Sequence, residues 1–161
     1  MSATADKNKI TFPSDTEVLV ERSFAAPKQL LWEVITQCEH MRVWMHGFDG
    51  WTLPICEMDL RAGGSIRWGW LKGDDGTSME IKGEFLEVTP PDRMKYRESW
   101  GEPWPDSMNI FELEEVEGGT KLNLTMQFPS KAARDSAVET GMNDGLSVSY
   151  GRLDDLLSSL Q

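Results

Sequence analysis

The segment that most constrains the architecture is TGMNDGLSVSYGRLDDLLSSL, residues 140–160. Apolar and small residues recur through it at intervals of three and four, which is the spacing of one face of an α-helix. With one residue from the preceding turn, this stripe consists of Val138, Met142, Gly145, Ser149, Leu153, Leu156 and Leu160. The pattern predicts a long C-terminal helix whose apolar face is bulky at both ends and small in the middle.

The small middle of the stripe, at Gly145 and Ser149, has two interpretations. A glycine inside a helix costs roughly 1 kcal/mol relative to alanine, so its presence needs a reason. Either the helix leaves room for a cavity beneath it, or it packs closely against a sheet. Gly141 follows the N-cap candidate Thr140 and indicates a joint after a separate short helix in SKAARDSAVE. Gly151 lies off the stripe, and the sequence does not explain it.

The chain before this helix predicts an antiparallel sheet. EVLVERSF, residues 17–24, is rich in β-branched and apolar residues, and six further apolar runs follow between turn signals from about residue 55 to residue 128. Two short helices are expected after the first strand, one beginning near Pro27 and one at residues 39–46. We therefore predict an α+β fold of about seven strands, with the C-terminal helix covering the apolar face of the sheet.

Alternation along the strands selects the side chains that face the space under the helix. The predicted lining of this cavity is Trp68, Trp70, Phe85, Tyr96, Glu98, Trp100, Phe111, Met126, Met142 and Gly145. Seven tryptophans and nine methionines among 161 residues suit an irregular apolar space. A large ordinary core would have the same composition.

Glu98 is the polar exception in this set. Strict alternation in RMKYRESW, residues 93–100, places it on the same face as Tyr96 and Trp100. A carboxyl group on an apolar face needs partners or a raised pKa, which is the property of a general acid. The alternative is that the strand twists and leaves Glu98 in water.

Other reactive residues do not form a recognisable catalytic pattern. His40 and His46 are six residues apart in a predicted helix and point to different faces, so a shared metal is not expected. His46, beside Gly47, is interpreted as a capping or solvated histidine, and Arg67 is expected to point outward and pair with Glu80 or Glu84. We predict no catalytic residue, metal or cofactor.

Composition limits the partners. The net charge of −11 argues against nucleic acid, and the lack of a long apolar run argues against membrane insertion. Cys38 and Cys56 have neither metal-ligand spacing nor the density of a disulfide scaffold, so we expect reduced thiols and a cytoplasmic protein. Residues 1–16 are expected to be a flexible arm, and residues 17–161 a single domain.

A series of segments resembles one family in order along the chain. These segments are ERSFAAPKQLLWEVIT, EHMRVWM, PICEMDLRAGGSIRWGW, LEVTPPDRMKY and FPSKAARDSAVETGMNDGLSVSYGRLDDLL. They resemble small bacterial proteins similar to the C-terminal domain of the activator of heat-shock protein 90 ATPase, within the START-like, birch-pollen-allergen-like superfamily. The resemblance covers about residues 17–160. It implies a helix-grip fold, in which a curved sheet surrounds a long C-terminal helix over an apolar cavity.

The resemblance supplies no catalytic motif, because family members bind lipids, sterols or polyketides, act as cyclases, or have no known activity. The leading hypothesis is a non-catalytic module that binds a small apolar molecule. The second is a cyclase-like or hydrolase-like enzyme in which Glu98, Tyr96 or His46 handles protons. A chaperone partner ranks last, since the related co-chaperone also uses a separate N-terminal domain. The sequence leaves a homodimer open.

Overall fold

The computed structural model describes residues 8–161 and shows one antiparallel sheet with four helices. In chain order the elements are β1 (Lys9–Thr11), β2 (Glu17–Phe24), α1 (Lys28–Thr36), α2 (Cys38–Trp44), β3 (Trp51–Met58), β4 (Ser65–Lys72), β5 (Ser78–Thr89), β6 (Arg93–Ser99), β7 (Ser107–Val116), β8 (Gly119–Gln127), α3 (Lys131–Glu139) and α4 (Met142–Ser159). The strands lie in the order β1-β2-β8-β7-β6-β5-β4-β3. The α+β prediction, with two helices after the first long strand and a long C-terminal helix, is confirmed.

The sheet contains eight strands rather than about seven, because β1 lies in the expected N-terminal arm. β1 pairs antiparallel with β2, with Ile10 opposite Val20. The arm prediction is therefore wrong for residues 9–11, which are held by backbone pairing rather than by an apolar pattern of their own. Residues 1–7 lie outside the described part of the chain.

Helices α1 and α2 connect β2 to β3, which lie near opposite edges of the sheet. Pro27 is the N-cap of α1, and Leu31 and Val34 on the inner side of α1 are fully buried. In α2 the buried residues are Met41 and Trp44. The indole N–H of Trp44 donates to the carbonyl oxygen of Val34 at 3.0 Å, which fixes the two helices against each other.

Helix α4 packs with a slightly different face from the predicted stripe. Its buried residues are Ser149, Tyr150, Leu153 and Leu157, whereas Leu160 is 44% exposed. The difference arises from Tyr150, whose ring contacts Phe24 edge-on at 5.7 Å and Trp44 at 6.2 Å. A large ring buried at this position turns the helix toward Tyr150 and away from Leu160.

The joint before α4 lies at Gly141, as predicted, but Thr140 is the C-cap of α3 and not the N-cap of α4, which is Gly141 itself. The short helix α3 is capped by Ser130, whose hydroxyl accepts from the backbone N–H of Ala133 at 3.0 Å. Gly141 then adopts φ +86°, a left-handed conformation that favours glycine. The chain changes direction at this residue and begins α4.

Two arginines attach α4 to the rest of the domain. Arg22 on β2 is buried and pairs with Asp154 at 2.6 Å. Arg152 donates to the carbonyl oxygen of Gly47 and pairs with Asp49 at 3.0 Å. The helix is therefore tied both to the sheet and to the loop after α2.

Cys38 and Cys56 form a disulfide, so the expectation of reduced thiols is wrong. The two residues are 18 positions apart in sequence, but α2 folds back onto β3 and brings their Cα atoms to 5.8 Å. Spacing along the chain does not indicate this contact because it depends on how the helix packs. The argument for a cytoplasmic location that rested on reduced thiols is lost with it.

Candidate functional site

The inner face of the sheet, which lies against the helices, is built by alternation in β4 to β8. Trp68 and Trp70 on β4, Phe85 on β5, Tyr96 on β6 and Met126 on β8 are all buried. Cross-strand pairing places Phe85 and Asn109 on either side of Tyr96, and Met126 opposite Asn109. The intervening residues point outward. Arg67, for example, pairs on the outer face with Glu80 at 2.8 Å, as predicted.

Tyr96 is the centre of an aromatic cluster. The ring of Trp68 meets it edge-on at 5.6 Å and that of Phe85 edge-on at 5.9 Å. Phe111 stacks on it at 6.0 Å with an interplanar angle of 16°. These geometries are the favourable ones for aromatic pairs. Three residues of the predicted site thus contact a fourth, Tyr96.

A second aromatic pair lies where β6 ends. Trp100 stacks on Trp70 at 6.0 Å with an interplanar angle of 13°. The indole N–H of Trp70 donates to the carbonyl oxygen of Met45 at 2.8 Å, while Trp100 is 42% exposed. The pair therefore runs from the buried inner face to solvent, and we call Trp70 and Trp100 the entrance pair.

Glu98 connects the two aromatic groups. Its neighbours across the sheet are Gly83 on β5 and Ser107 on β7, and its carboxylate accepts from the indole N–H of Trp100 at 2.9 Å. Burial raises the pKa of Glu98 to about 7, although the hydrogen bond from Trp100 and the proximity of the Asn109 amide oppose this shift. Twist of the strand does not leave the side chain in open water. Near neutral pH the carboxyl group exchanges between its neutral and charged forms.

The sequence interpretation missed Asn109, although the signal for it was present. In SMNIFELEEV, residues 107–116, alternation places Asn109 on the same face as Phe111, so it is a polar residue on an apolar stripe, as Glu98 is. Asn109 is 4% exposed, and its Nδ2 atom has no hydrogen-bond partner within residues 8–161. Such atoms are uncommon in folded proteins and require an explanation.

Two further buried polar atoms share this property. Trp68 is 4% exposed and Tyr150 is 2% exposed. Among the described side chains and backbone, neither the Nε1 atom of Trp68 nor the hydroxyl of Tyr150 has a hydrogen-bond partner. Burial raises the pKa of both Tyr96 and Tyr150, and proximity of Glu98 and Tyr150 contributes to the shift of Tyr96. Tyr150 was not predicted as a site residue, because a tyrosine on a helix gives no indication of its partner.

Helix α4 contributes the opposite wall. Met142 is half-buried and packs against the core. A Cβ atom at Gly145 would meet no atom within 4 Å. The interpretation of Gly145 as a point of close packing is therefore wrong, since the helix does not press on a neighbour at this residue.

Two open depressions lie at β5 and β6, largely on the outer side. One of about 220 Å³ is lined by Lys82, Gly83, Glu84, Arg97 and Ser99, and the other of about 370 Å³ by Glu80, Lys82, Ser99, Trp100 and Gly101. Most of these side chains are charged, and Glu84 and Arg97 pair at 2.6 Å. Of the predicted cavity residues only Trp100 borders either depression. They are surface features distinct from the inner face.

His46 lies in the loop between α2 and β3. Its Nδ1 atom is buried without a partner in the described region, and burial, together with the nearby Arg152, lowers its pKa. The interpretation of His46 as a capping or solvated histidine is therefore wrong, because Met45 is the C-cap of α2 and the Nδ1 atom of His46 is buried. Within residues 8–161, no group of three His, Cys, Asp or Glu side chains is placed to hold a metal ion, and no helix is long and apolar enough to cross a membrane.

A single antiparallel sheet with an aromatic inner face and a long C-terminal helix defines a helix-grip protein of the START-like type. The chain belongs to the family described as activator of Hsp90 ATPase homolog 1-like protein, whose family model matches residues 25–158. This membership places it in a group whose fold is suited to ligand binding.

Solved structures share this fold over nearly the whole chain. A protein from Rhodobacter sphaeroides is 27% identical, with a TM-score of 0.89, and the match covers 96% of this chain and 100% of that one. A protein from Nitrosomonas europaea is 23% identical, with a TM-score of 0.81 and coverage of 92% and 97%. A protein from Silicibacter pomeroyi described as AHSA1 is 20% identical, with a TM-score of 0.73 and coverage of 90% and 99%. The latter two show the fold alone. Among curated proteins, none matches this chain.

Proposed function

We propose that this protein binds a small, largely apolar molecule between the inner face of the sheet and helix α4. Two features support the proposal. The aromatic cluster centred on Tyr96 offers flat apolar surface from four strands. The entrance pair of Trp70 and Trp100 connects that surface to solvent. Binding sites for small molecules commonly combine aromatic walls with a few polar groups.

The observation that carries the proposal is the free space at Gly145. This residue lies in the helix that covers the inner face, yet a side chain added there would contact nothing within 4 Å. A helix that existed only to fill a core would gain stability from alanine at this position, by roughly 1 kcal/mol. Glycine is explained if the space beside it is used by a ligand.

A matched pair of substitutions tests the proposal. Gly151 lies in the same helix and also has no atom within 4 Å of its Cβ position, so Gly145→Leu and Gly151→Leu make the same chemical change on different faces. Binding would be measured by titration with N-phenyl-1-naphthylamine, a neutral apolar fluorophore whose emission rises in apolar surroundings. We expect Gly145→Leu to weaken binding at least fivefold and Gly151→Leu to leave it unchanged. Equal affinity in both variants, or no binding by the unaltered protein, would contradict the proposal.

A second candidate function is proton transfer by Glu98 to or from a bound substrate. Its support is the position of a carboxyl group with a pKa of about 7 beside Tyr96 and on the inner face. General acids and bases work best when their pKa is near the working pH. In that case Glu98→Gln would abolish turnover but leave substrate binding within about threefold. Equal turnover by the unaltered protein and by Glu98→Gln would exclude Glu98 from this role.

A further inference from the structure

Three donor-bearing side chains surround Tyr96 from three different elements. Trp68 on β4 contacts its ring edge-on, and Asn109 on β7 is its direct neighbour across the sheet. Tyr150 on α4 is close enough that its hydroxyl raises the pKa of Tyr96. The polar atoms of all three are at least nine-tenths buried and have no hydrogen-bond partner in the region described.

Each of these groups destabilises the fold as long as it lacks a hydrogen-bond partner. A buried donor without an acceptor costs about 1–3 kcal/mol, because it has lost water and gained nothing in return. Three such groups lie on elements that meet around Tyr96, and each of them requires an explanation. A bound molecule that supplies the missing acceptor would recover part of that cost.

The chemistry of the three groups restricts the ligand. The indole N–H of Trp68 can only donate, and the Asn109 amide nitrogen can only donate, whereas the Tyr150 hydroxyl can do either. The matching group is therefore an acceptor oxygen. Glu98 lies two residues from Tyr96 on the same strand face, and its negative charge, together with the net charge of −11, disfavours a carboxylate or phosphate.

We infer that the site binds a neutral aromatic or alicyclic ketone, with the carbonyl oxygen accepting hydrogen bonds from Trp68 Nε1 and Asn109 Nδ2. The rings of Tyr96, Phe85 and Phe111 pack against the hydrocarbon part of the molecule. This inference rests on the proposed function and specifies its ligand class. It assigns Trp68 and Asn109 as specificity residues, whereas the aromatic cluster supplies general apolar affinity.

The test uses two molecules that differ by one oxygen, 1-indanone and indane, titrated calorimetrically at pH 7. We expect the unaltered protein to bind the ketone about a hundredfold more tightly, which is the combined effect of two satisfied buried donors at about tenfold each. Asn109→Leu and Trp68→Phe should each reduce this preference about tenfold and leave the affinity for indane unchanged. Asn123→Leu is the matched control, because Asn123 lies on the outer face of the neighbouring strand β8.

The outcomes separate the ligand class from the proposed function. Equal or tighter binding of indane by the unaltered protein overturns the ketone assignment but leaves an apolar binding site. If both variants keep the full preference for 1-indanone over indane, Trp68 and Asn109 are not the specificity residues. Binding of neither molecule removes the assignment together with the proposed function. Should Asn109→Leu fail to fold, the Trp68→Phe variant and the preference of the unaltered protein for the ketone still test the ketone assignment.

Discussion

Glu98 accepts a hydrogen bond from the indole N–H of Trp100 at 2.9 Å, and the Trp100 ring lies stacked on Trp70. The titratable carboxyl group of Glu98 is thus hydrogen-bonded to Trp100, the more exposed ring of the entrance pair. The charged form of Glu98 is the stronger acceptor for this N–H. Protonation of Glu98 therefore weakens the contact that positions Trp100.

The stability of the fold should depend on the protonation of Glu98. Its pKa is about 7 in the folded protein against an ordinary value of 4.5, so the folded state holds this proton more tightly than the unfolded state. The free energy of unfolding should therefore fall as pH rises from about 4.5 to about 7, and then level off. Between pH 5 and pH 8 the difference between the unaltered protein and Glu98→Gln should change by about 2 kcal/mol. Urea denaturation at the two pH values measures it, and parallel pH profiles would exclude the raised pKa.

Removal of the Tyr150 hydroxyl should leave the protein at least as stable. The ring packs against Phe24 and Trp44, but the hydroxyl is buried without a partner in the described structure. Tyr150→Phe keeps the ring and removes an unsatisfied polar group, so we expect a gain of about 0 to 1 kcal/mol. Tyr150→Ala, which also removes the ring, should cost about 3–5 kcal/mol. A loss above about 1 kcal/mol in Tyr150→Phe, measured by thermal unfolding, would indicate a hydrogen bond to the hydroxyl.

Asp154 should matter much more than its neighbour Asp155. Asp154 pairs at 2.6 Å with Arg22, whose side chain is only 8% exposed, whereas Asp155 is exposed. Asp154→Ala leaves a buried guanidinium without its carboxylate and should destabilise the fold by about 2–4 kcal/mol. Asp155→Ala should change stability by less than about 0.5 kcal/mol. Similar chemical denaturation midpoints for the two variants would show that the buried pair does not anchor α4.

The disulfide between Cys38 and Cys56 should be present in protein purified without reductant. The sequence contains two cysteines, so the denatured, unreduced chain should react with no maleimide and the reduced chain with two. Replacing both residues with serine should lower the free energy of unfolding by about 2–4 kcal/mol, because the bond closes a loop of moderate length. Two thiols reacting before reduction would show that the bond does not form.

The inner face could be predicted from sequence because strand alternation is local. Once residues 93–99 form a strand, Met94, Tyr96 and Glu98 must share one side, whatever the rest of the chain does. The same rule places Asn109 on the apolar face of β7, so the sequence is sufficient to identify it as a polar residue on an apolar stripe. Its lack of a partner, in contrast, depends on the side chains that neighbouring elements bring to it and is visible only in three dimensions.

The features that escaped prediction depend on packing between distant segments. The turn of α4 toward Tyr150 is set by rings from β2 and α2, and the disulfide by the position of α2 on β3. β1 has only the three residues KIT and no apolar alternation long enough to be recognised. It becomes a strand because the backbone groups of β2 pair with it. The three residues of β1 themselves contain no pattern that would predict this pairing.

The pairing of β1 with β2 should also disfavour self-association of the protein. Without β1, the outer backbone groups of the eight-residue strand β2 would form a free sheet edge, which is a template for pairing with another copy. β1 covers Leu19 to Glu21 in the middle of that edge and presents in its place a strand of three residues that includes Lys9. Removal of residues 1–16 would therefore lower solubility, although it removes little of the hydrophobic core.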